Sequence, residues 1–146
     1  MSIFRGFEYA SERAGIITPG LPLMPPGVES YPIPGGGSRA VSIDKGDEIT
    51  LLDREGLQVA ELVFFTPDGS SDSAMLGAKG VGEAKGLISI LSQDNPSAKN
   101  VSRALEAAGF DLAKSDAIRI FEDGSQAGES KSLTAARDGL LIVGAP

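Results

Sequence analysis

Neither His nor Cys occurs among the 146 residues, so proton transfer and charge recognition in this chain fall to carboxylates, lysines, tyrosines and arginines. His is the side chain whose unperturbed pKa lies near neutrality, and it is the commonest imidazole metal ligand. Its absence excludes a Ser-His-Asp triad within the chain. The absence of Cys excludes disulfides, thiolate metal sites and cysteine nucleophiles. Among the carboxylates, Glu61 stands out because it shares a period-2 face with Leu57, Val59, Val63 and Phe65, a face expected to be buried. A carboxylate there must raise its pKa or find a cation or N–H donors. The opposite face, Gln58, Ala60, Leu62 and Phe64, is apolar enough to be the core instead, which would turn Glu61 to water. Arg39 and Arg119 lie in strand-like runs. They either pair with Glu61, anchor an anionic ligand, or stand exposed as cations that discourage edge pairing. An enzyme working through Glu61 with Asp53 would need a closed pocket holding Glu61, Gln58 and an Arg, with a raised carboxylate pKa.

Two cofactor motifs fail in detail. Gly77, Gly80, Gly82 and Gly86 suggest a phosphate loop, but Gly80-Val81-Gly82 lacks the third glycine of a dinucleotide fingerprint and no Gly-Lys-Ser/Thr follows. A calcium loop begun at Asp72 would place Gly77 and Glu83 correctly, but Ala74 and Leu76 occupy positions that require oxygen ligands. Both stretches are expected to be loop.

The elements that must position these residues read as mainly β (α+β), in one domain over 1–146. Pro and Gly crowd residues 15–37, which predicts an extended arm lying against a sheet. From Arg39 the pattern Arg39–Ile43, Glu48–Leu52 and Leu57–Phe65, separated by Asp/Gly turns, predicts a three-stranded antiparallel meander within a sandwich or distorted barrel. Residues 68–86 are expected to be an irregular loop, followed by a strand over Leu87–Leu91. One main helix is expected near 96–108, with Asn95 as N-cap, Pro96 in the first turn, Ala98, Val101, Leu105 and Ala108 inward, and Gly109 as the stop. Phe110 should fold back on Leu105. Strands Ala117–Phe121 and Leu140–Val143 complete the pattern, the last apolar on both faces and so central. A chain ending on such a strand at Pro146 suggests a domain excised from a longer one. Thirteen Lys and Arg against twenty Asp and Glu give a net charge of −7, the wrong sign for a nucleic-acid surface. No leader pattern and no apolar run of membrane-spanning length is present, so no membrane partner and a cytoplasmic location are expected.

The run Gly37-Ser38-Arg39-Ala40-Val41-Ser42-Ile43-Asp44-Lys45-Gly46-Asp47, continuing to Gln58-Val59-Ala60-Glu61-Leu62, resembles the urea-carboxylase-associated family, and Asp138-Gly139-Leu140-Leu141-Ile142-Val143 resembles its closing strand. The resemblance implies a β core and small-nitrogen metabolism. It carries over Gln58 and, with Asp changed to Glu, Glu61. Members thought to be catalytic carry Cys and His expected to bind a metal. This chain has neither, and Ala145 stands near where some members end in Cys-Pro. The domain also resembles one fused ahead of folate-dependent aminomethyltransferases, relatives of the glycine cleavage T-protein. That implies a non-catalytic accessory or small-ligand-binding module with no cofactor of its own, and with tetrahydrofolate in the parent protein. Its partner would be the remainder of a longer polypeptide or a partner subunit, and its ligand a small nitrogenous compound. A freestanding enzyme or subunit acting on a urea, guanidine or amine derivative through carboxylates stays open, as does a structural subunit of a heteromeric complex. A docked remainder would leave an apolar patch larger than a few hundred Å² near Leu140–Pro146 or along the arm.

Overall fold

In the computed structural model of the chain, residues 1–6 and 28–146 are described. The arm expected over 15–37 lies outside them up to residue 27. From Val28 onward it supplies β2 (Val28–Pro32) and the turn closed by the Gly37 N–H donating to the Pro34 carbonyl at 2.8 Å.

Eight strands form two antiparallel sheets among the described residues. One has the order β2-β1-β4-β7, built from β1 (Ser2–Gly6), β2, β4 (Glu48–Asp53) and β7 (Glu129–Thr134). The other has the order β3-β8-β5-β6, from β3 (Ser38–Ile43), β8 (Gly139–Gly144), β5 (Ala60–Phe65) and β6 (Ile118–Ile120). The fold is therefore the mainly β sandwich expected, and no barrel closes. Between the sheets lies a core of Ile3, Ile49, Leu51 and Leu133 against Val41, Leu62, Phe64, Leu141 and Val143. The far face of the second sheet, with Val63, Phe65 and Ile142, is covered by two helices, α1 (Lys85–Leu91) and α2 (Pro96–Ala108). This layering buries every residue of β5, because one face meets a sheet and the other meets helices. No helix among the described residues is long and apolar enough to cross a membrane.

The expected meander does not form. β3 pairs with β8, and β4 pairs with β1 and β7. The turn Asp44-Lys45-Gly46-Asp47 thus carries the chain from one sheet to the other, so the apolar residues of β3 and β4 oppose one another across the core. Arg5 of β1 fastens this turn. Its Nε donates to Asp47 Oδ2 at 2.5 Å and its Nη2 to Asp44 Oδ2 at 2.6 Å, with the guanidinium buried. The expected strand over Leu57–Phe65 begins only at Ala60, since Leu57 takes φ 59° and stays exposed.

Leu87–Leu91 is helical rather than extended. Leu87 and Ile90, three apart, face inward, a spacing that a five-residue apolar run cannot distinguish from a strand. α2 matches its sequence signals. Asn95 accepts from the Ala98 N–H, Pro96 sits in the first turn, and Ala98, Val101 and Leu105 are buried. Ala108 is exposed, against expectation. At the other end Gly109 has φ 73° and its N–H reaches the Glu106 carbonyl, while the Phe110 N–H reaches the Leu105 carbonyl at 3.0 Å, the paired bonds of a Schellman terminus. The Phe110 ring stacks on Phe65 at 4.9 Å. Residues 68–86 are largely irregular, with one short 3₁₀ turn over Ser73–Leu76 that Asp72 caps through the Ala74 N–H. β8 is central, between β3 and β5, as expected.

Candidate functional site

Glu61 faces inward, on the helix-covered side of its sheet, and is 1% exposed. Its partners are the first N–H groups of α1. The Gly86 N–H donates to Oε2 at 3.0 Å and the Leu87 N–H reaches Oε1 at 3.5 Å. Arg119 of β6, directly opposite Glu61 in the ladder, brings Nε to 3.7 Å from the same Oε2, and its Nη1 lies 3.7 Å from Glu122. α1 has no side-chain N-cap of its own, so a carboxylate from the neighbouring strand satisfies its orphan donors. Gly86 makes this possible, since a Cβ there would stand 2.4 Å from Glu61 Oε2. A shallow pocket of about 350 Å³ opens beside this cluster, lined by Val59, Glu61, Gly86, Arg119, Glu122 and Pro146.

Gln58 is not in that lining. Its amide donates to the Pro146 carbonyl at 3.0 Å and to the Val59 carbonyl at 2.9 Å, so it fastens the end of the chain at the pocket's edge. Asp53, the second carboxylate of the sequence reading, belongs to the other sheet and is fully buried. It accepts from the Ser125 hydroxyl and from the N–H groups of Gly56 and Gln58, both at 3.0 Å. Burial alone would raise its pKa, but these donors outweigh it and hold the carboxyl below the usual Asp value. Its acceptor positions are spent on the loop that leads into β5.

Arg39 belongs elsewhere. It lies opposite Val143, which lies opposite Leu62, so it stands on the inter-sheet face while Glu61 stands on the helix face. Their strands are separated by β8. Arg39 is exposed at the edge strand, with its guanidinium 4.7 Å from the Tyr31 ring centroid. Tyr31 in turn donates to Glu29, the chief reason its own pKa is raised. Beside Arg39 a groove of about 630 Å³ runs between β3 and α2, with Ser38, Ser97 and Asn100 in its wall. The sequence reading missed these three, since isolated Ser and Asn residues carry no recognisable pattern. It also missed the Arg5 cluster, which gathers Glu29 of β2 with Asp44 and Asp47 of the turn between β3 and β4.

Residues 141–143 and Ala145 are fully buried within this chain, so among the described residues that strand presents no apolar patch, and the arm, the other place expected for one, lies outside the described residues up to residue 27. The polypeptide covers that strand itself, with β3 and β5 on its flanks. Among the described residues no group of three or more acidic, His or Cys side chains is arranged to hold a metal ion.

No protein-family model matches the chain. It is 35% identical over 133 residues to the trimethylamine-oxide aldolase of Ruegeria pomeroyi, a match that takes in 91% of this chain and 17% of the aldolase. The chain thus spans less than a fifth of the length of that curated relative. The relative is an enzyme named for a small nitrogenous compound.

Proposed function

We propose that this chain is an accessory domain of a larger enzyme that acts on a small methylated amine or amine oxide, with the reacting groups supplied by the rest of that protein. The relation that carries this reading is the match itself: nearly all of this chain corresponds to a small part of trimethylamine-oxide aldolase. The geometry supports it, because each carboxylate expected to do chemistry is engaged in holding the fold. Glu61 caps α1 and Asp53 closes the 54–58 loop.

The larger protein in this reading resembles the folate-dependent aminomethyltransferases named above, with tetrahydrofolate bound outside this domain. The residues described here do not fit that cofactor. The guanidine-like edge of a pterin pairs best with a free carboxylate; Glu61 and Glu122 beside the smaller pocket are engaged with α1 and Arg119, and the groove beside Arg39 has no carboxylate among its described wall residues. No step is therefore assigned to folate on this chain.

The test is turnover of trimethylamine oxide by the purified chain, with and without tetrahydrofolate. No consumption is expected under either condition. Consumption that disappears in Glu61→Gln would overturn the accessory reading in favour of carboxylate catalysis.

A further inference from the structure

The groove between β3 and α2 combines three features that point to a ligand of one charge. Ser38 lines it, and the Ser38 side-chain oxygen is buried with no hydrogen-bond partner among the described residues. Ser38 as a whole is 6% exposed, and a buried hydroxyl left unpaired costs about 1–3 kcal/mol unless something meets it. The N-terminal turn of α2, a 13-residue helix, forms the facing wall through Ser97 and Asn100. Ser97 is pinned there because its hydroxyl donates to the Ser38 carbonyl at 3.1 Å. Asn95 takes the Ala98 N–H through its side chain and the Lys99 N–H through its carbonyl, and Pro96 has none to give, so the Ser97 N–H is what the first turn leaves for a ligand at the positive end of the helix dipole. Arg39 stands at the rim, oriented by the Tyr31 ring. A guanidinium stacked on an aromatic face keeps its in-plane donors free for an oxyanion.

The charge balance is local. The whole chain carries a net charge of −7, yet no acidic residue is among the described residues that line this groove. A wall offering an arginine, a helix N-terminus, a hydroxyl and an amide, with no carboxylate, is complementary to an anion.

We infer that this groove binds a small oxyanion, a phosphate or carboxylate group, with Arg39 as the charge partner and the Ser38 hydroxyl as the buried donor. The site is separate from the Glu61 pocket, which lies on a different edge of the sheet, and it does not depend on the function proposed above.

Titration of the ¹⁵N-labelled chain with inorganic phosphate, and separately with acetate, tests this by amide shifts. Saturable shifts confined to Ser38, Arg39, Ser97, Ala98 and Asn100 are expected. Arg39→Gln, at an exposed position, should weaken binding at least about tenfold in a protein whose remaining spectrum is unchanged. Ser38→Ala should weaken it as well while leaving stability equal or higher, since it removes an unpaired buried hydroxyl. Tighter binding of phosphate would identify a tetrahedral group as the natural ligand. Tighter binding of acetate would identify a carboxylate, from a small acid or an acidic side chain. Shifts that do not saturate, or that persist unchanged in Arg39→Gln, would overturn the proposal and leave the Ser38 hydroxyl to a water molecule.

Discussion

Replacing Glu61 by Gln changes one atom and one charge at the point where β5, β6 and α1 meet. In the wild type, Oε2 accepts from the Gly86 N–H at 3.0 Å and faces Arg119 Nε at 3.7 Å, while Oε1 has the Leu87 N–H at 3.5 Å. A glutamine can keep its oxygen on Gly86 and Arg119, but its NH₂ must then point at the Leu87 N–H, donor against donor. A hydrogen bond to a charged acceptor contributes about 1.5–3 kcal/mol and a neutral one about 0.5–1.5. The partly exposed Arg119 contact adds no more than ~1 kcal/mol. The difference comes to roughly 1–3 kcal/mol of lost stability. In a domain of this size that lowers Tm by about 3–10 °C. Urea unfolding followed by circular dichroism measures it, with the m-value expected to hold. A loss below ~0.5 kcal/mol, typical of a solvated surface change, would refute the capping role and return Glu61 to the list of free carboxylates.

Three further outcomes follow from the same packing. Gly86→Ala places a methyl 2.4 Å from Glu61 Oε2; it should cost about 1–3 kcal/mol, and in double-mutant cycles with Glu61→Gln the two costs should fall short of adding. Gly139→Ala meets the Phe65 carbonyl oxygen at 2.4 Å and the Phe64 ring at 2.5 Å, backbone and fully buried core that cannot give way, so a loss of at least about 1–3 kcal/mol is expected in thermal melts. Asp53 has a folded-state pKa below its unfolded value. Its carboxylate therefore stabilises the fold above the unfolded Asp pKa of ~3.9, and that contribution is lost as pH falls through the lower folded value. Asp53→Asn should be less stable than wild type at neutral pH and should lose stability less steeply below pH ~4; parallel acid-unfolding curves would show Asp53 unpaired.

Local signals in this sequence were readable and pairings were not. The α2 terminus is written in Asn95, Pro96 and Gly109, because caps depend on a few neighbouring residues. β8 announces its central place by being apolar on both faces. The pairing of β3 with β8 joins residues about a hundred positions apart, and a turn such as Asp44–Asp47 looks the same whether it closes a hairpin or crosses between sheets. The contacts that Arg5, far upstream, makes with Asp44 and Asp47 are not visible in the turn's own residues. β7 went unseen because Glu129–Thr134 buries Leu133 alone, leaving no apolar alternation to detect. Glu61 stands out because a carboxylate on an apolar face needs partners if that face is buried, but apolar residues on both faces of the strand leave its direction open in the sequence; the fold buries it. That the partners would be helix N–H groups could not be read while Leu87–Leu91 looked like a strand.

The central claim, that this domain works as part of a larger enzyme, is tested most directly by the size of the native polypeptide carrying this sequence in its source cells. Peptides from residues 1–146 recovered by mass spectrometry from a protein several-fold longer, together with peptides of a transferase-like remainder, are the predicted result. Recovery of the same peptides only from a protein of this length, free of any larger partner, would contradict it.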